Sequence, residues 1–241
     1  MPDVRFDHIA IATRRMTDGP SVLVGALGGR PTGDGGPSGA YTWGQWGFAG
    51  GGRLELLEPL GADSFLHRFL ASHGPGVHHV TFVVPDLQGA CDRAVAHGYR
   101  IVGFDDSDPS WAEAFLHPKE ALGIVVQLVE SRASGPARRS WPAPAGPPSP
   151  PPPVTMLGLR MRVRSVERAH TQWSRILHGV PEGADGARGY RWPGSPMRIL
   201  VDVEPEVDEG PVAIEYASDR LVTLPATPHP VLGATFRRVR S

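Results

Sequence analysis

Two pairs of apolar segments recur in this chain at almost the same spacing, and that restricts its fold more than any other feature. The strand-like run "HIAIAT" from His8 aligns with "HVTFVV" from His79, 71 residues on. "RLELLEP" from Arg53 aligns within a residue with "IVVQLVE" from Ile124, which sets Glu55 against Gln127, 72 residues on. Unrelated strands rarely preserve one offset, so the spacing points to an internal duplication. Each half reads as a strand, a helix and further strands. In the second half "VPDLQGACDRAVAHG" offers Asp86 as N-cap, an apolar face on Leu87, Ala90, Ala94 and Val95, and Gly98 as the stop. The matching "MTDGPSVLVGALGGRP" is shorter and glycine-rich, so its helix is expected to be less regular. "GAYTWGQWGFAGG" then supplies aromatic strand material punctuated by turns. The expected fold class is α+β, built of paired βαβββ modules in a mixed sheet.

Strand periodicity assigns directions. Successive side chains in a strand point to opposite faces. His8, Ala10 and Ala12 therefore share one face, and Ile9 and Ile11 the other. His79, Thr81 and Val83 oppose Val80, Phe82 and Val84. Glu55 lies with Leu57, and Gln127 with Val125 and Val129. In every case the aliphatic face suited to packing on helices excludes the polar residue. His8, Glu55, His79 and Gln127 are thus expected to converge on the concave face. Two imidazoles, one carboxylate and one amide suit one divalent ion of the Zn, Co, Ni, Mn or Fe type. His78 faces the other way and is expected to be a boundary residue. The remaining histidines (His67, His73, His97, His117, His170, His178 and His229) lack such company and are expected at the surface. The acidic run Asp105 to Asp108 has no calcium-loop pattern and reads as a solvated loop.

Proline divides the rest. Nine of the eighteen residues from Pro136 to Pro153 are proline, which favours an extended polyproline spacer. The expected organisation is residues 1–134 as one domain of two modules (1–72 and 73–134), a linker over 135–153, and a region over 154–241. In that last region "MLGLRMRVRSVERAHTQWSRILHG" gives a strand and a helix with Ser165 as N-cap. Further strands follow in "GYRWPGSPMRILVDVEP" and "GPVAIEYASD", so a third, degenerate βαβββ-like module is expected. Glu215 in "AIEY" is the counterpart of Glu55 in this reading. Leu157, Gly158 and Leu159 stand where a histidine would be needed, so no metal site is expected there. A single module leaves a sheet edge unpaired, which calls for docking on the first domain or for a homodimer through the C-terminal module.

Charge and composition narrow the partners. Lys plus Arg (24) nearly balances Asp plus Glu (25), so no broad field draws the chain to nucleic acid or an anionic membrane. No apolar run is long enough to span a bilayer, and the N-terminal sequence enters a strand pattern without the layout of a signal peptide. A cytoplasmic protein with a small-molecule substrate is expected. The single cysteine, Cys91, excludes an internal disulfide and reads as a packed thiol on a helix.

"DHIAIAT", "LELLEPLGADSFLHRFLASHGPGVHHVTFVVPDL" and "FLHPKEALGIVVQLVE" resemble signature segments of the vicinal oxygen chelate superfamily, and within it the methylmalonyl-CoA epimerases and glyoxalases. The resemblance covers nearly all of residues 1–132. It implies a cup-shaped sheet around one metal ion held by His8, Glu55, His79 and Gln127. It also implies chelation of two substrate oxygens and proton transfer beside a carbonyl by a carboxylate, here Glu55. Two departures stand out. The family usually has glutamate at the position of Gln127, and an amide cannot take a proton. "YTWGQWGFAGG" lacks the carboxylate that the epimerases carry before "ELLEP", which leaves Glu55 as the one good base. The expected activity is a metal-dependent isomerase, epimerase or lyase acting next to a carbonyl of a small acyl or thioester substrate. The alternatives are an iron-dependent dioxygenase and a metal-free drug-binding protein of the same superfamily.

Overall fold

The alternation of apolar side chains from Arg5 to Ala12 produces a fully formed strand, β1 (Arg5–Ala12), buried from Phe6 onward. In the computed structural model, which describes residues 3–132, 141–183 and 188–239, the chain continues through β2 (Arg30–Ser38), β3 (Tyr41–Gly47), β4 (Arg53–Pro59), α1 (Phe65–His73) and β5 (Gly76–Val83). Then come α2 (Leu87–Ala96), β6 (Ile101–Asp108), β7 (Trp111–Leu116) and β8 (Val125–Ser131). After the proline-rich stretch the order is β9 (Thr155–Val163), α3 (Val166–His170), β10 (Val180–Glu182), β11 (Arg188–Arg191), β12 (Arg198–Val203), β13 (Gly210–Ala217) and β14 (Phe236–Arg238). The fold class is α+β, as the sequence suggests.

The strands form two sheets. The first has the order β2-β3-β4-β1-β5-β8-β7-β6, and the second β10-β11-β12-β9-β13-β14. Parallel pairing sets Ala10 opposite Glu55 and Thr81 opposite Gln127. These two pairs stand at the offsets found in the sequence. One further bond repeats with them. Glu58 accepts from the Met16 amide at 2.7 Å, and Glu130 accepts from the Leu87 amide at 2.9 Å. Each glutamate thereby satisfies a helix-start N–H that has no partner within the helix. The same pair of bonds to the Leu87 amide and Arg132 holds the Glu130 carboxyl below its ordinary range, the Arg132 contribution being the larger.

The helices follow their caps. Asp86 accepts from the Gly89 amide at 3.0 Å and opens α2, and Gly98 (φ +84°) follows its end. Ser165 caps α3 in the same way. The glycine-rich first-half segment makes only a 3-10 turn (Met16–Asp18) and a π-helical turn (Ser21–Ala26). Helix α1, capped by Ser64, was not among the expected elements. Asp105 to Asp108 belong to β6 and not to a loop, although they are solvated as expected. Among the described residues, no helix is long and apolar enough to cross a membrane.

The described chain divides into two compact units. One contains residues 3–8, 79–132, 158–183 and 188–212. Its interior is aromatic. Phe82 stacks on Phe6 with centroids 4.9 Å apart, and Trp192 and Trp173 close on Phe82 at 4.7 and 6.0 Å. All four rings are buried. Polar bonds add to this packing: Ser195 Oγ donates to the Phe6 carbonyl, Arg168 donates to the Glu120 carbonyl, and Arg93 donates to the Ile176 carbonyl. After the strap the order β9, α3, β10, β11, β12 runs strand, helix and three strands. β13 and β14 add a parallel pair beyond it.

The other unit contains residues 9–78, 141–157 and 213–239. Leu66 and Leu70 of α1 pack on Ala10, Ala12 and Leu57, with Tyr41, Trp43 and Phe69 at the rim. The small alanines make room for a helix on this strand face. Residues 141–153 are coil and form a strap along the first module. The Trp141 amide donates to the Gly33 carbonyl at 2.9 Å, and the indole lies on Gly44, where a Cβ would come within 2.4 Å of the ring. Val154 closes the strap by bonding Leu27 and Ala49. Arg220 tethers it further, donating to the carbonyls of Pro152 and Ala26.

Candidate metal centre

His8 and His79 are buried in the middle of β1 and β5 respectively, which are neighbours in the first sheet. Their ring centroids are 5.9 Å apart. Glu55 is buried on β4, one strand along from β1 in the sheet. His8, Glu55 and His79 each offer a ligand atom, and these atoms lie within 4.8 Å of one another. Among the described residues they are the group of this kind that forms. Nitrogen and oxygen donors in this ratio fit a first-row divalent ion.

The surroundings of His8 fit that role as well. Its Nδ1 lies 2.9 Å from Asp7 Oδ2, and Arg5 pairs with the other oxygen of Asp7 at 2.6 Å. A carboxylate on the far nitrogen of a ligating imidazole fixes the ring and raises its basicity. His8 Nε2 lies 2.9 Å from Thr81 Oγ1, and Thr81 donates to Gln127 Oε1 at 2.7 Å. An amide oxygen only accepts, so the single hydroxyl hydrogen of Thr81 goes to Gln127. Gln127 in turn donates through Nε2 to Glu113 Oε2 at 2.8 Å, and the Trp111 indole N–H reaches the same oxygen at 3.1 Å. On β3, Gln45 stands opposite Glu55 and donates to its Oε2 at 2.9 Å.

Glu113 is the polar residue that the sequence reading passed over. Its carboxylate meets the Gln127 amide and the Trp111 indole. The signal lay in β7, where Trp111, Glu113 and Phe115 share a strand face. Gln127 stands opposite Phe115 in the ladder.

His78 does not point at the donors' neighbours on β5 but packs against α1, with centroids 5.7 Å from Phe65 and 4.9 Å from Phe69. Burial pushes its pKa down to about 4, and the nearby Glu55 carboxylate opposes the shift. Glu215 is corrected as the counterpart of Glu55. It lies on β13 opposite Arg237, whereas the matching register position in the second sheet is Leu200 on β12, opposite Arg160. Gly158 stands seven residues before the cap Ser165, as His79 stands seven before the cap Asp86. It has φ +129°, and a Cβ there would meet the Arg198 carbonyl oxygen at 1.9 Å. No imidazole can occupy that place.

Residues 7–115 match the model of the Glyoxalase/Bleomycin resistance protein/Dioxygenase superfamily. A protein of Bacillus subtilis named YqjC and described as uncharacterized is 37% identical over 89 residues, which is 35% of this chain and 61% of that one. An ethylmalonyl-CoA/methylmalonyl-CoA epimerase of Cereibacter sphaeroides is 35% identical over 82 residues, 32% of this chain and 60% of that one. The chain thus spans about 60% of the length of these curated relatives. A mutant of 4-hydroxymandelate synthase from Streptomyces coelicolor superposes over 91% of this chain and 72% of its own, with a TM-score of 0.61 and 14% identity. That likeness is one of fold alone, and it takes in strands that follow the strap.

Proposed function

We propose that the protein is a metal-dependent enzyme that moves a proton next to a carbonyl of a small acyl or thioester substrate. The observation that carries this reading is the buried His8–Glu55–His79 group with its donor atoms within 4.8 Å. Gln127 is the fourth ligand in this proposal, through its carbonyl oxygen. The identity to an acyl-CoA epimerase supports the substrate class. The matched pairs Ala10–Glu55 and Thr81–Gln127 support a duplicated module as the origin of the site.

A bound divalent ion would supply Lewis acidity at the substrate carbonyl. The chain's own residues do the rest. Glu55 takes the proton beside the carbonyl, and the Gln45 N–H on its Oε2 sets the plane of that carboxylate. Tyr41 and Trp43, partly buried at the rim, offer flat apolar walls to the substrate. The near-balanced charge of the chain favours a small molecule over nucleic acid as partner.

The test is metal analysis of protein purified without chelator and of protein reconstituted with Zn, Co, Mn or Fe. Near-stoichiometric binding that is lost in His79→Ala supports the proposal. Absence of metal from both samples would refute it and leave a small-molecule carrier. A second reading has one observation in its favour: two histidines and one carboxylate are also the donor set of non-haem iron oxygenases. Oxygen consumption by the Fe(II)-loaded protein would select it.

A further inference from the structure

Gln127 sits where a metal ligand is proposed, yet an amide presents an oxygen or an NH2 group depending on which way it is turned. Only one orientation can ligate. The structure assigns Glu113 the task of setting it: we propose that Glu113 is a positioning residue that holds the Gln127 amide with its oxygen toward Thr81 and His8. This rests on the metal-site reading above and adds a device to it.

Three observations carry the assignment. Glu113 Oε2 is 2.8 Å from Gln127 Nε2, and an ionised carboxylate can only accept, so the NH2 group must face it. The opposite end of the amide is fixed by the Thr81 hydroxyl at 2.7 Å. That hydroxyl has one hydrogen to give, and Gln127 Oε1 receives it. A flipped amide would set an oxygen against the Glu113 carboxylate and lose that bond, whereas the Thr81 hydroxyl can meet either end of an amide, so Glu113 is the contact that discriminates. The Trp111 indole N–H at 3.1 Å holds Glu113 itself in place. Gln127 and Thr81 are both buried, so water is a poor substitute for either contact.

Charge also explains the pairing. A glutamate at position 127 would need no such guide, because both of its oxygens can ligate. An amide needs a one-sided acceptor, and Glu113 is that acceptor.

The test uses the full chain and Co(II), whose absorption spectrum reports its donor set. Glu113→Ala should weaken Co(II) binding by about tenfold and alter the spectrum, as removal of a partner behind a ligand commonly does. Glu113→Gln keeps an acceptor oxygen and should restore binding to within about threefold of the unaltered protein. In a Gln127→Ala background, Glu113→Ala should add nothing, because its effect passes through Gln127. Independently of any metal, the Gln127 side-chain amide protons should exchange slowly with solvent in the unaltered protein and rapidly in Glu113→Ala, as followed by NMR. An equal Co(II) loss with and without Gln127 would overturn the assignment, as would amide exchange indifferent to Glu113. If the unaltered protein takes up no Co(II), the metal reading falls, and the amide exchange alone decides the role of Glu113.

Discussion

Phe82→Ala removes the centre of the aromatic cluster and should be among the most destabilising single changes in the unit that contains it. The ring is completely buried and touches three others, stacked on Phe6 at 4.9 Å and tilted against Trp192 at 4.7 Å and Trp173 at 6.0 Å. Full burial of a phenylalanine side chain is worth about 1.5–3 kcal/mol in transfer alone. Each aromatic pair adds about 0.5–1.5 kcal/mol, and the cavity left among rigid indoles collapses poorly. The expected loss is therefore about 4 kcal/mol, inside the range for such truncations. That is roughly a thousandfold change in the unfolding equilibrium. It should lower the melting temperature by roughly 8–16 °C in a chain of this size. Differential scanning calorimetry and urea unfolding followed by tryptophan fluorescence would measure it, since two of the four rings are the reporters. Leu221→Ala, at an exposed side chain (81%), serves as the control and should change stability by less than about 0.5 kcal/mol. A loss below about 1 kcal/mol for Phe82→Ala would show that the cluster does not hold this unit together.

Four further outcomes are expected. His79→Ala should abolish metal binding while His78→Ala leaves metal content unchanged, by inductively coupled plasma analysis of both. Because burial lowers the pKa of His78 to about 4, its neutral form stabilises the fold above pH 6.5, and that contribution is lost as the pH falls from 6.5 toward 4; His78→Phe should flatten the stability profile over that window in pH-dependent urea melts. Cys91 is buried with its thiol pushed up to about 11, first by burial and then by Asp92, so Ellman's reagent at pH 8 should label it only after unfolding. Gln127→Glu would set a second carboxylate against Glu113 in place of a 2.8 Å hydrogen bond, which should cost about 2 kcal/mol without metal and much less with Zn(II) added, by thermal melts in both conditions.

Most of the proposed site was readable before any coordinates. Period-2 alternation placed His8, Glu55, His79 and Gln127 on the polar faces of their strands, and a common offset paired them, because strand register and side-chain direction are local rules. Caps at Asp86 and Ser165 were legible for the same reason. What escaped was set by tertiary context. Glu113 alternates with aromatics on an unremarkable strand, and only the fold brings it to Gln127. Helix α1 had no counterpart among the expected elements, although Ser64 and Gly74 flank it with cap chemistry. The proline-rich stretch has the composition of a spacer, yet glycines at 35 and 44 open a bed for Trp141 that no composition rule anticipates. Glu215 resembled Glu55 by its neighbours, and the ladder showed that resemblance to be out of register.

Gly158 bears on how this molecule can change over generations. At that point of the second sheet the backbone has a conformation that side-chain-bearing residues rarely adopt, and the space for a Cβ is filled by the Arg198 carbonyl. A codon change to histidine would therefore produce a damaged strand before it produced a ligand. Even a tolerated histidine would face Leu200 rather than a carboxylate at the register position of Glu55. At this register position, then, the second sheet offers backbone contact and an apolar side chain where the first offers the donors of the proposed metal centre.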